Sequence, residues 1–250
     1  MPDKPTFAEC LWTWFMLPVY AWQGSRLRAR THRMPPPQNR DKYDFKGKGE
    51  PLKVLVVGDS SAAGVGVERI EQSFAWLFPH YLSKRSGRAV RLRIAGMNSA
   101  TSGQIRDFVV PHIRPRDFDY IALNIGTNDA KNFHRGNRFC ANFGGLLYAL
   151  RARFPGATII WSGVLDLEQV PALPSPLNLI LGIRSRLIGH NGRVLCSERG
   201  ALAPEPEWRI VEENFSSDGF HASAKGYDEW ASNLADYVIE LEQQRSKLPA

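Results

Sequence analysis

The feature that most limits the fold of this chain is an apolar run of strand length that ends in a turn of small residues. The run, Leu-Lys-Val-Leu-Val-Val at 52–57, is followed by Gly-Asp-Ser-Ser-Ala-Ala-Gly at 58–64. A buried parallel strand that ends in a tight turn lifts the next side chain to the carboxyl edge of the sheet. Ser60 is therefore the leading candidate nucleophile. An ordinary turn is the alternative, because Asp and Ser cap helices and Gly tolerates unusual backbone angles.

Beyond residue 51, apolar runs of strand length alternate with segments of helical periodicity, which predicts βαβ units and a parallel sheet. Helices are expected between the first two and the last two strands, and a last helix carries the apolar stripe that includes Trp230 and Leu241. A proline-rich range, 164–207, is expected to be a loop leading into a helix beside the active site. The strands are predicted at 53–57, 89–95, 119–125 and 157–162, and no fifth strand is evident.

Length, charge and cysteine content exclude several classes of protein. The 250 residues fit one α/β domain with an appendage, and +4 of the net charge of +7 lies in the first fifty residues. The rest is only mildly basic, which argues against a nucleic-acid-binding face. Cys10, Cys140 and Cys196 are odd in number and form no Cys-x-x-Cys pair, so neither a disulfide framework nor a zinc site is indicated. We expect a reducing, cytoplasmic compartment.

The N-terminal segment, residues 1–34, is apolar and aromatic from Phe7 to Trp22 and is followed by Arg26, Arg28, Arg30, His32 and Arg33. Its charges follow the apolar stretch, unlike those of a secretory signal, and the stretch is short for a membrane-spanning helix. Tryptophan and tyrosine prefer the lipid–water interface, so residues 7–33 are predicted to contact a membrane surface. The alternative is a helix that packs on the catalytic domain or on a second subunit. Residues 35–51 have the composition of a linker, and the main domain is predicted at 52–246.

Three further polar segments fall at the carboxyl ends of predicted strands or before the last helix. They are Asn-Ser-Ala-Thr-Ser-Gly at 98–103, Asn-Ile-Gly-Thr-Asn-Asp at 124–129 and Asp-Gly-Phe-His at 218–221. Each alone is a plausible turn. Together with the first turn they supply the parts for acyl transfer, because a serine hydroxyl needs a base and histidine suits that proton exchange.

The expected roles follow from this chemistry. His221 is the base for Ser60, and Asp218 accepts a hydrogen bond from the far ring nitrogen of His221. The backbone N–H groups of Ser60 and Gly103 and the side-chain amide of Asn128 are expected to form the oxyanion hole. Gly96 also precedes a polar loop and is the alternative to Gly103.

These four segments, in this order over roughly residues 52 to 246, resemble the four blocks of the SGNH (GDSL-type) hydrolase family. The resemblance implies a three-layer α/β/α sandwich of flavodoxin-like type with a parallel sheet of about five strands. It also implies serine hydrolysis of esters without a metal or other cofactor. The same roles are implied for Ser60, His221, Asp218, Gly103 and Asn128. One departure is Ser61, where the family commonly has Leu, and it changes the surface beside the nucleophile.

The expected function is hydrolysis of short to medium acyl esters through an acyl-enzyme intermediate, with a small-molecule ester as the partner. A lysophospholipase or thioesterase and a carbohydrate deacetylase are alternatives on the same scaffold. An alternative from another class is a non-catalytic, membrane-attached binding module, which would be expected to have a broken triad. The sequence does not indicate an oligomeric state.

Overall fold

The computed structural model describes residues 4–30, 34–114, 117–205 and 210–247. A five-stranded sheet forms the middle layer, with strand order β1-β3-β2-β4-β5. The strands are β1 (Lys42–Phe45), β2 (Lys48–Gly58), β3 (Arg88–Gly96), β4 (Tyr120–Asn124) and β5 (Thr158–Trp161). The four strands expected from the apolar runs are all present and parallel to one another, in the flavodoxin-like order.

The fifth strand is antiparallel and lies in the range predicted to be a linker. β1 pairs with β3 from Lys42 opposite Arg93 to Phe45 opposite Val90. The linker prediction for 35–51 is wrong for β1 and for the start of β2. The polar composition hid these strands, because an edge strand is stabilised by backbone pairing and needs few apolar side chains.

Helices cover both faces of the sheet. They are α1 (Phe7–Phe15), α2 (Leu17–Arg30), α3 (Phe74–Ser86), α4 (Ser102–Gln104), α5 (Thr127–Lys131), α6 (Gly136–Arg153), α7 (Leu177–Glu198) and α8 (Ala224–Lys247). Alternate side chains of β2 point to opposite faces. Val54 and Val56 therefore pack with α3 and α8, whereas Leu55 and Val57 pack with α6 and α7. The expected three-layer α/β/α sandwich is confirmed.

The N-terminal helices α1 and α2 pack on the layer formed by α5, α6 and α7. Trp12, Met16, Tyr20 and Leu27 contact its apolar core. The Tyr20 hydroxyl donates to the carbonyl of the last residue of α5. This is the packing that the sequence left as the alternative to membrane contact. His32 and Arg33 of the predicted basic flank lie outside the described residues.

Candidate active site

The nucleophile candidate follows β2, the strand at which the strand order of the sheet reverses. β3 pairs on one side of β2 and β4 on the other, which opens a crevice at their carboxyl ends. The backbone N–H of Asp59 donates to the carbonyl of Asn124 at 2.9 Å, and that of Val65 to the carbonyl of Ser60 at 2.9 Å. These bonds close a tight turn around Ser60 and leave its hydroxyl half-exposed at the sheet edge.

The loop before α8 brings a histidine and a carboxylate to this serine. His221 Nε2 lies 3.2 Å from Ser60 Oγ, and His221 Nδ1 lies 2.6 Å from Asp218 Oδ2. Both distances are within hydrogen-bond range, so the three side chains form a continuous relay. A serine whose hydroxyl contacts a histidine that is oriented by a carboxylate is the arrangement needed for nucleophilic catalysis.

Asp218 is held by more than the histidine. Its other oxygen, Oδ1, accepts from the backbone N–H groups of Phe220 and His221, each at 2.9 Å, and from the Ser216 hydroxyl at 2.8 Å. Burial alone would raise the pKa of Asp218, but the hydrogen bonds from His221 and Phe220 outweigh it and hold the pKa well below its ordinary value. Asp218 is therefore ionised and can stabilise a protonated His221.

Close backbone contact fixes the position of the Ser60 loop relative to the His221 loop. Gly66 adopts φ +112°, and a methyl group on its Cα would lie 2.3 Å from the carbonyl oxygen of Ala222. Only glycine permits that approach at this backbone angle. The hydroxyl of Tyr227 in α8 also donates to the carbonyl of Val65 at 2.6 Å. The separation of Ser60 and His221 is thus set by packing between two distant segments.

The predicted oxyanion-hole residues differ in their placement. Asn128, buried at the start of α5, lines the cavity together with Ser60, and its Nδ2 donates to the Ala100 carbonyl at 3.0 Å and to Asp59 Oδ2 at 3.3 Å. Among the described residues, the backbone N–H of Ser60 has no hydrogen-bond acceptor. Gly103 is buried in α4 and is not among the described cavity-lining residues. A methyl group on its Cα would lie 3.0 Å from the side chain of Asn142.

The alternative glycine, Gly96, lies against the turn that carries the nucleophile. A methyl group on its Cα would lie 2.4 Å from the backbone nitrogen of Ala63. Its small size serves backbone packing. The loop that follows β3 reaches the cavity side of the sheet through Ala100, whose carbonyl contacts Asn128.

Asp59 is fully enclosed beside the nucleophile and takes no part in the relay. Its carboxylate accepts from the backbone N–H and hydroxyl of Ser61 and from Asn128. Burial raises the pKa of Asp59. The contacts identify it as the residue that connects the serine turn to the side chain of Asn128.

Sequence reasoning missed a buried polar cluster centred on Asp129. Its carboxylate accepts from the backbone N–H of Ser102 at 2.9 Å and from the Ser102 hydroxyl at 2.8 Å. His134 Nδ1 lies 2.9 Å from the same carboxylate. The cluster connects the loop after β3 to the loop after β4, which positions Asn128. Its signal in the sequence was an Asp directly after the predicted oxyanion residue.

Ser60 and His221 of the relay line a cavity of about 310 Å³. Strand-end loops and the entry of α8 supply its nearer walls, and α7 contributes Arg193 at the far wall, paired with Glu205 at 3.1 Å. Within the described ranges, no three His, Cys, Asp or Glu side chains are grouped as metal ligands would be. The apolar part of the lining comes from Ile125, Val164, Leu165, Ile210, Phe220 and Trp230.

Solved structures with the same fold include several esterases and a lipase. A carbohydrate acetylesterase of Sinorhizobium meliloti is 18% identical and aligns with a TM-score of 0.56 over 76% of this chain and 99% of its own. An aryl esterase of M. smegmatis is 16% identical, with a TM-score of 0.58 over 76% and 99%. At these sequence identities, the similarity to the two enzymes establishes a shared fold and nothing about substrate.

Sequence comparison identifies the family. A GDSL-like esterase of Mycobacterium tuberculosis is 27% identical over 187 residues, which are 70% of this chain and 58% of that protein. The chain thus spans little more than half the length of that relative. The model of the GDSL-like Lipase/Acylhydrolase family matches residues 56–229. This range contains the serine turn, the loops after β3 and β4, and the Asp-x-x-His segment. The chain is therefore a member of the GDSL-like lipase/acylhydrolase family, an SGNH-type hydrolase.

Proposed function

We propose that this hydrolase is a serine esterase acting on short to medium acyl esters through an acyl-enzyme intermediate at Ser60. The observation that carries the proposal is the Ser60–His221–Asp218 relay at the mouth of the cavity. Ser60 attacks the ester carbonyl while His221 takes its proton. His221 then gives that proton to the departing alcohol, and a water molecule activated by His221 releases the acid. The intact relay argues against the non-catalytic binding module.

The developing negative charge on the carbonyl oxygen needs hydrogen-bond donors. The proposed donors are the backbone N–H of Ser60 and the side-chain amide of Asn128, because both residues line the cavity. Gly103 is the weaker third member, because it is not part of the described cavity lining. Removal of one such donor typically costs about 3 kcal/mol of transition-state stabilisation. The hydrogen bond from Asn128 to Asp59, at 3.3 Å, is long enough to be exchanged for one to a reacting oxygen.

A fluorophosphonate probe tests the nucleophile directly. We expect the full chain to be labelled stoichiometrically, with mass spectrometry placing the phosphonate on Ser60. A series of 4-nitrophenyl esters from acetate to palmitate should then give the highest kcat/KM at short or medium acyl chains, because the cavity beside Ser60 is small. A sharp optimum at palmitate would contradict this acyl range and favour a long-chain lipase or thioesterase. Preference for acetylated sugars over the acetate ester would favour the carbohydrate deacetylase.

We also propose that the outer face of α1 and α2 contacts anionic membrane surfaces, as the sequence predicted for residues 7–33. Phe7, Phe15 and Trp22 are 83%, 81% and 60% exposed. Exposed arginines follow at 26 and 30. Apolar side chains beside a cationic cluster suit the interface of an anionic bilayer. No described helix is long and apolar enough to cross a membrane.

Co-sedimentation with vesicles checks this contact. We expect binding to phosphatidylglycerol vesicles and little binding to phosphatidylcholine vesicles. The Phe15→Ser variant should bind about thirtyfold more weakly, since burial of one Phe side chain contributes about 2 kcal/mol. Tyr148→Ser is the matched control, because Tyr148 is an aromatic residue of α6 that is 69% exposed. Equal binding by all three proteins would contradict the contact.

A further inference from the structure

A second, larger groove runs between α2 and the catalytic domain and meets the active site at the histidine. Its volume is about 610 Å³. Phe220 and His221 line both this groove and the cavity beside Ser60, so the two spaces adjoin at the relay. The groove is apolar along one wall, where the side chains of Leu173, Leu177 and Leu181 lie.

The groove lining also contains two cations, Lys131 and Arg28. Lys131, at the end of α5, lies with its ammonium nitrogen 4.4 Å from the centre of the Phe220 ring. Arg28 of α2 also lines the groove. Neither forms an ion pair with any carboxylate in the described part of the chain. Burial lowers the pKa of Lys131 and the charge of Arg28 adds to that effect, whereas the charges of Asp59 and Asp218 oppose it without outweighing the burial.

Asp218 is the acidic residue in the groove lining. Its carboxylate is already occupied by His221 and by the donors that hold its loop. The groove therefore has one cation in excess, and its cationic groups are the ones free to accept a ligand. An unpaired ammonium in an apolar site is favoured by an anionic partner.

The chemistry of the relay indicates which part of a substrate would occupy this space. In acyl transfer the histidine donates its proton to the departing alcohol, so that alcohol must lie on the His221 side of Ser60. The groove is the second space that borders His221, and it shares Phe220 and His221 with the cavity beside Ser60 and Asn128. The alcohol of the substrate therefore has access to leucine side chains and to two cations.

We infer that the groove binds the alcohol portion of the ester, and that this alcohol is an amphiphile with an alkyl chain and an anionic group such as a carboxylate or phosphate. The alkyl chain lies along the leucines, and the anionic group contacts Lys131 and Arg28. The inference rests on the proposed esterase function. It adds the substrate class and assigns a binding role to α2, outside the range matched by the family model.

Two butyrate esters that differ only in the alcohol test this site. One is octyl butyrate, and the other is the butyrate ester of ω-hydroxyoctanoate, which ends in a carboxylate. We expect the anionic ester to have a kcat/KM at least about tenfold higher at low ionic strength, through a lower KM. That preference should shrink in high salt, because salt screens charges near the surface.

Variants of α2 distinguish the effect of the cationic charge on substrate binding from the effect of the space in the groove. Arg28→Gln should reduce the preference for the anionic ester about fivefold, with the loss falling mainly on the kcat/KM of that ester. Arg26→Gln, on the same helix but outside the groove lining, should change neither. Gly24→Phe should raise KM for both octyl esters more than for ethyl butyrate, because Gly24 lines the groove and the added ring would occupy part of it. The helix tolerates the change, since an added Cβ at Gly24 meets open space. Gly24→Ala is its size control.

The outcomes distinguish this inference from the proposed function. Equal kcat/KM for the two octyl esters, with normal phosphonate labelling of Ser60, would overturn the groove assignment and leave the esterase intact. An undiminished preference for the anionic ester in Arg28→Gln would overturn the role of Arg28. Failure to hydrolyse any of the esters, together with absent labelling, would overturn the esterase and with it the groove assignment.

Discussion

Replacement of Ser60 by Ala is expected to lower kcat for ester hydrolysis by about 10⁶-fold, the loss found when the nucleophile of a serine hydrolase is removed. The reason is that no other hydroxyl lies within hydrogen-bond distance of His221 Nε2 among the described residues. The fold should be unaffected, since within the described ranges the Ser60 hydroxyl has a hydrogen bond to the histidine ring alone. The measurement is turnover of 4-nitrophenyl butyrate by purified protein, with circular dichroism to check folding.

Phosphonate labelling provides the control for this substitution. The Ser60→Ala protein should be unlabelled, whereas Ser61→Ala should still be labelled, because Ser61 donates to Asp59 and has no contact with the histidine. Full activity in a pure Ser60→Ala sample would remove the basis for the nucleophile assignment. Residual activity near the uncatalysed rate would support it.

The second large effect concerns the base and its partner. His221→Ala should lose about as much activity as Ser60→Ala, because the relay has no other base. Asp218→Ala should lose less, on the order of 10⁴-fold, since His221 retains its contact with Ser60. Steady-state kcat for the two variants provides the comparison. Equal losses would instead indicate that the histidine and aspartate act as one unit.

Asp218→Asn separates orientation of the ring from stability of the loop. An Asn side chain can keep an oxygen in place of Oδ1 and accept the backbone N–H groups of Phe220 and His221. Its amide would donate to His221 Nδ1 and select the wrong tautomer. We therefore expect Asp218→Asn to be about as inactive as Asp218→Ala but closer to the wild type in Tm. Activity in the Asn variant near the wild-type value would contradict the orienting role.

The depressed pKa of Asp218 also gives the sign of its effect on stability. A carboxyl group whose folded-state pKa lies below its unfolded value of about 3.9 stabilises the protein fully above that value. The contribution is lost as the pH falls through the folded pKa. The difference in free energy of unfolding between the wild type and Asp218→Ala should therefore be constant near neutral pH and shrink in acid.

Much of the active site was accessible from the sequence because its parts lie at strand ends. Ser60, Asn128 and His221 each follow or precede a strongly periodic element, and parallel topology brings such positions to one edge of the sheet. The structure places these three residues on one cavity. Gly103 is less well accounted for, since spacing along a loop does not tell which of its backbone groups faces the cavity.

Sequence patterns did not predict the antiparallel edge strand β1 or the buried polar cluster around Asp129. β1 has four residues of alternating exposure, and its pairing with β3 depends on backbone groups almost fifty residues away. Asp129 is fully buried, yet its sequence neighbourhood resembles a surface turn. Both depend on long-range contacts, which local periodicity does not encode.

The sequence by itself determined the family, the parallel core of the sheet and the identity of the proposed relay, because each depends on residue types at local spacing beside regular elements. Only the tertiary structure decided where the N-terminal helices lie. Their aromatic composition is compatible with a membrane surface and with packing, and the contacts of Trp12 and Tyr20 show that one face packs on the domain. The same packing places Arg28 beside Lys131 and His221, and that groove exists only because segments more than a hundred residues apart meet.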